Sequence, residues 1–316
     1  MKNFFRKVAF GLKPGEQAPS DPLSWAQKQV ETIPHLNWKG KYILSEKEMR
    51  EHWIKYRVEE STTLRKKFKN DPHGLKIAEK LLEYETGKKF WKSNEICMRH
   101  AEGIRSNTPV LAKLWYFWTN HFTISDTQSL ASFSTGAYQR EFIRANMDKK
   151  FETMAIEATI AWPMMMHLDN KDNIGPKSIS GRSEWRRKER KPATINENHA
   201  RELLELHTVS PKAAYTQDDI IELAKIMTGW RPKWTKRKDH GHNVSFDSER
   251  HEPGKKTVFG KTYKRGKKSL EIAIKDLVNH PSCREFIATK LCRYLITDNP
   301  TKDMISPIIK AWEKSD

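Results

Sequence analysis

The sequence predicts a mostly α-helical protein, a multi-helix globular bundle with one small β-hairpin insertion near residues 243–264. Three observations predict it. Leu111, Leu114, Trp115, Trp118 and Phe122 recur at i, i+3, i+4 and i+7, the spacing of one buried helix face. Thr194 with Glu197, and Thr216 with Asp219, have the spacing of helix-opening capping boxes. Only around residues 243–264 does the apolar period shorten toward that of strands, in VSF and in KTVFGKTYK about a turn at Gly260.

The elements follow in order. Residues 1–45 read as an irregular lead-in rich in Gly, Pro and Ser, with a helix beginning near Asp21 and Pro22. Residues 46–316 read as a single mostly helical domain. From 46 to 106 the pattern gives two or three amphipathic helices broken near Asp71 and Pro72. The Leu111–Phe122 stripe comes next, with His121 at its edge. Gln139–Ala161 is a further helical region, and PMMMHLDN at 163–170 is a short apolar piece ending in a turn. A helix then runs through NENHARELLELH, and another from Thr216 through Ile220, Leu223, Ala224 and Met227 to a stop at Gly229. Pro281 opens a last helix whose Phe286, Ile287, Leu291, Tyr294 and Leu295 form an apolar face.

Composition narrows the function classes. No stretch approaches the roughly 18 apolar residues of a membrane span, so no transmembrane segment is expected. Arg6, Lys7 and Lys13 interrupt any signal-peptide apolar run, which favours the cytoplasm. Cys97, Cys283 and Cys292 form no C-x-x-C pair and read best as small apolar residues in a reduced compartment. Neither of the common phosphate-loop patterns nor G-x-S-x-G occurs, which leaves phosphate-loop nucleotide binding and the nucleophile elbow without support.

The net charge of +18 is unevenly placed. Residues 181–192, 231–240 and 254–268 carry +4, +4 and +7, together +15, within basic loops spanning 176–192 and 231–268. Trp185, Trp234, Phe259 and Tyr263 are interleaved with the bases. A nucleic acid or another polyanion is therefore one expected partner, through Arg186, Arg187, Lys188, Lys236, Arg237, Lys264 and Arg265. The plainer alternative is a set of solvated loops.

The chemistry-bearing residues lie in the helical motifs. On a regular helix His207 falls about 80° from His199, inside the arc of Leu203, Ala200 and Leu204, so it points inward and needs a partner. His121, Glu197, Glu202 and His207 form a candidate general acid/base set between packed helices. His121, Glu202, His207 and His251 form a candidate ligand set for a divalent metal. Against both stands the reading that these histidines are hydrogen-bonded core residues, that Glu197 caps its helix, and that Arg201 and Glu205 make a surface i, i+4 pair. A structural protein without catalysis is the third possibility.

Four motifs occur in a fixed order: Trp118–Phe122 (WTNHF), Asn196–Asn198 leading into Ala200–His207 (NEN, ARELLELH), Tyr215–Asp219 with Thr228–Trp230 (YTQDD, TGW), and His280-Pro281. In these, and in Val8–Gly15 and the hairpin around Lys256–Gly260, the chain resembles the bacterial proteins grouped as domain-of-unknown-function family 1800. The resemblance implies a mainly helical fold and brings no reaction with it. Relatives are often exported, usually carry His-Asp where this chain has His251-Glu252, and continue past the point matching Asp316, so the chain is expected to lack their C-terminal helices.

Overall fold

Side-chain caps set several helix starts. α1 (Lys2–Val8) forms within the expected lead-in and buries Phe5; alternating basic residues conceal it in the sequence. Asp21 accepts the amides of Leu23 and Ser24 and so opens α2 (Pro22–Glu31), while Ser45 and Glu48 cap each other reciprocally at α3 (Glu46–Ile54). α4 (Ser61–Lys67), α5 (Pro72–Glu85) and α6 (Lys88–Arg105) follow, with the break at Asp71-Pro72 where the proline requires it. The computed structural model describes residues 2–36, 38–55, 60–85, 88–125, 132–183, 193–232 and 244–315. No helix among them is long and apolar enough to cross a membrane.

The centre is built on α7 (Pro109–His121), which buries Leu111, Trp115 and, fully rather than at the edge, His121. The expected helical region 139–161 is interrupted: α8 (Thr135–Tyr138) runs into a π turn at Gln139–Ile143, and α9 (Phe151–Ile160) starts afresh. PMMMHLDN is more regular than expected, because Met164–His167 lie in α10 (Trp162–His167) and its three methionines are fully buried.

α11 (Asn198–Glu202) departs from the expected capping box. Its N-cap is Glu197 with no side-chain cap, and the amide of Asn198 is taken by the Asn196 side chain at 3.0 Å. Thr194 lies three residues before that N-cap, and its carbonyl accepts the amide of Ile174. α12 (Gln217–Met227) does open with the Thr216–Asp219 box. It ends before Gly229, whose φ of +86° suits glycine.

The β insertion is split between two small antiparallel sheets. β1 (Trp230–Pro232), which the sequence did not announce, pairs with β2 (Val244–Phe246); β3 (Lys256–Val258) pairs with β4 (Lys261–Tyr263) across Phe259-Gly260, both at positive φ as a tight hairpin turn demands. α12 secures this hairpin, since Asp219 accepts the amide of Phe259 at 2.7 Å and Glu222 that of Thr257 at 3.1 Å. α13 (Lys268–Asn279) packs on α9, α14 (Pro281–Leu295) on α13, and α15 (Lys302–Lys314) on α14. Cys283 and Cys292 are buried as small apolar residues, whereas Cys97 is exposed.

Candidate functional site

A polar cluster lies where α7, the end of α11 and α14 meet. After Glu202 the chain forms a π turn at Leu203–His207, which spaces side chains differently from the regular wheel and leaves both His199 and His207 fully buried. The turn is held by Thr208 Oγ1, which donates to the Leu203 carbonyl at 2.6 Å, and by the Ser210 amide, which donates to the Leu204 carbonyl at 2.9 Å. The His207 carbonyl lies 3.1 Å from His121 Nε2, and Lys290 Nζ, from α14, lies 2.9 Å from His121 Nδ1.

These two contacts fix the imidazole. A lysine ammonium only donates, so His121 Nδ1 is the acceptor and Nε2 carries the proton given to the His207 carbonyl. Around the ring stand Phe117, Trp118, Phe122, Phe151 and Phe286, and the His207 ring centroid is 6.1 Å away. Burial in this aromatic box holds His121 well below the ordinary histidine range, with the Lys290 and His207 charges adding to it. Burial also pushes His199 and His207 down to about 3, and the Lys290 ammonium below its usual range. The centre is thus made of neutral imidazoles. Among the described residues, both ring nitrogens of His199 and Nδ1 of His207 have no hydrogen-bond partner. His167 stands near enough to influence both electrostatically.

The other sequence-predicted residues lie elsewhere. Glu197 bonds Arg201 at 3.0 Å and Gln217 on the surface. Glu202 is half-buried, and burial followed by Glu205 raises its carboxyl. His251 belongs to a knot at the β insertion with Thr228 and Lys256. Among the described residues no three His, Cys, Asp or Glu side chains converge as metal ligands, so His121 and His207 are brought together without Glu202 or His251. Arg186, Arg187, Lys188, Lys236 and Arg237 lie outside the described residues; Lys264 and Arg265 are exposed after β4, with Arg265 donating to the Ser248 carbonyl at 3.1 Å.

Sequence reasoning missed His199, His167 and Lys290. His199 served there only as the origin of the helical wheel, although it shares the apolar arc with His207. Lys290 carried one available signal, its i+4 position after Phe286, over whose ring its Nζ sits at 5.1 Å.

A family model described as "Protein of unknown function (DUF1800)" matches residues 3–316. Neither the curated proteins nor the solved structures gave a match.

Proposed function

We propose, for a chain that belongs to the DUF1800 family of proteins of unknown function, that Lys290, paired with and positioned by His121, is an acid/base group acting on an anionic substrate. The observation that carries this reading is the Lys290 ammonium, half-buried, 2.9 Å from His121 Nδ1 and without a carboxylate partner among the described residues. A desolvated amine is driven toward its neutral form, in which it is a base or a nucleophile toward carbonyl carbon; protonated, it attracts an anion. His121 is the positioning residue. Its Nε2–H is tied to the His207 carbonyl, so its Nδ1 lone pair faces the amine and holds one N–H, leaving the other valences of Nζ for a substrate. Glu197 and Glu202 take no part in this pair.

The test is incubation with pools of small anionic metabolites, followed by mass spectrometry, for wild type and Lys290→Met. Depletion of an anionic compound by wild type alone is the expected result. As a check that needs no substrate, pH-dependent acylation of Lys290 should show a midpoint below the ordinary 10.5 of lysine. An ordinary midpoint together with no depletion would sink the proposal.

A second reading rests on different atoms, both ring nitrogens of His199 and Nδ1 of His207, which have no partner among the described residues. Neutral imidazoles are good ligands for zinc-like divalent metals, and an ion here would complete its shell with water or substrate oxygen, since the described residues offer no third ligand. Elemental analysis of untagged protein decides it: stoichiometric metal should be lost in a folded His207→Ala variant. The polyanion reading retains the exposed Lys264 and Arg265, and it predicts binding to DNA, RNA or acidic polysaccharide that weakens steeply with salt.

A further inference from the structure

We propose that a cavity beside α6 binds a small organic carboxylate that also carries a hydroxyl or amino group. The cavity, of about 340 Å³, lies between α6, residues 123–125 after α7, and the segment from Thr135 to Gln139. It is of the size of small-molecule sites. α6 turns one face into it, Lys92, Glu95, Ile96 and Arg99, at helical spacing.

Arg99 supplies the anion-binding group. Its guanidinium lies 5.1 Å over the Tyr116 ring and donates through Nη1 to the Gln139 side-chain carbonyl, while Tyr116 in turn donates to the Arg99 carbonyl at 3.0 Å. The planar fork is therefore held in place before any ligand arrives. Among the described residues no carboxylate pairs with it and its buried Nε has no hydrogen-bond partner. A guanidinium held this way matches a carboxylate with two parallel N–H donors.

Glu95 supplies the second contact. It is only 4% exposed, and Arg140 Nη2 takes its Oε1 at 2.8 Å. Gly136 packs directly against it, where an added Cβ would come within 2.3 Å of Glu95 Cβ, so the glycine lets α8 press the carboxylate toward the cavity. Its other oxygen takes no hydrogen bond among the described residues, which suits a donor on the ligand. That same carboxylate disfavours a phosphate dianion. Ile96 and Ile124 give a short carbon chain apolar surface, and Thr135 stands at the wall.

Neither Lys290 nor His121 lines this cavity, so the proposal stands or falls independently of the acid/base pair. Isothermal titration of the full chain with two- to five-carbon hydroxy acids, amino acids, simple carboxylates and inorganic phosphate tests it. Saturable binding of a hydroxy or amino acid is expected, several-fold tighter than the matching simple carboxylate and weakened at least tenfold by Arg99→Met. Should that variant not fold, Arg99→Lys keeps the charge, loses the fork, and should still bind several-fold more weakly. No binding by any carboxylate, tighter binding of phosphate, or affinity unchanged in the arginine variant would each overturn the proposal.

Discussion

Two lysines in this protein each meet a neutral histidine, and they differ in what else they meet. Lys256, in the knot at the β insertion, is 1% exposed, and its ammonium donates to the Glu252 carbonyl, to the Gly254 carbonyl at 3.0 Å and to His251 Nε2 at 3.2 Å. His251 is fixed in turn by the Thr228 carbonyl, 2.7 Å from Nδ1. Three N–H groups have three acceptors, so this lysine is a strut. Among the described residues Lys290 has one acceptor, His121 Nδ1, and the face of Phe286. Both ammonium groups are pushed down by burial, Lys256 to about 8. What separates a structural lysine from a candidate chemical one here is not the depressed proton affinity but the unfilled valence.

Acid should give the largest effect and strain both regions at once. His199 and His207 are held at about 3 and His251 at about 4, chiefly by burial, against 6.5 ordinarily. The unfolded chain therefore binds more protons below pH 6.5, and stability falls as the pH drops through that value and onward toward the folded values. At pH 5 each histidine should cost about 2 kcal/mol and the three together about 6, on the order of a whole domain's stability. Urea unfolding at pH 7.5, 6 and 5 measures this; a midpoint that does not move would mean the imidazoles accept protons freely in the folded state.

The two lysines can then be set directly against each other. Lys256→Met strands three acceptors and is expected to cost about 2 kcal/mol or more at pH 7, whereas Lys290→Met frees one and should stay within about 1 kcal/mol of wild type. Lys256 has a second signature. With a folded value near 8 and an unfolded one of 10.5, the unfolded chain binds more protons between them, so stability should rise across that window in wild type and lose this rise in Lys256→Met. Equal costs for the two substitutions in urea would break the comparison.

How far the sequence anticipates these regions depends on how local the cause is. The Thr216–Asp219 box, the Pro72 and Pro281 helix starts and the hairpin turn at Gly260 rest on neighbouring residues, and they appear where spacing predicts them. The failures are tertiary. Val244–Phe246 pairs with Trp230–Pro232, across residues no local period can bridge. The π turn at Leu203–His207 depends on Thr208 and Ser210 taking released carbonyls, so a wheel at a fixed angle cannot place Glu202 relative to His207. His207 was legible as inward-pointing because its neighbours are apolar. Lys290 was not, since a base at the margin of an amphipathic helix looks like any solvated lysine until a helix 169 residues away in sequence places His121 beside it.

The smallest expected effect sharpens the contrast from the side of full occupancy at the surface. Arg201 lies between Glu197 at 3.0 Å and Glu205 at 3.5 Å, each one helical turn away, with its side chain 37% exposed. Water screens such pairs, and holding three long side chains together costs conformational freedom, so Arg201→Ala should lose no more than about 0.5–1 kcal/mol, less at high salt. The histidine centre should not notice: the acid limb of the urea midpoint in Arg201→Ala is expected to superimpose on that of wild type, because neither glutamate is among the charges acting on His199 or His207. A shifted acid limb would instead tie the surface carboxylates to His207 through the π turn and return Glu202 to the acid/base set.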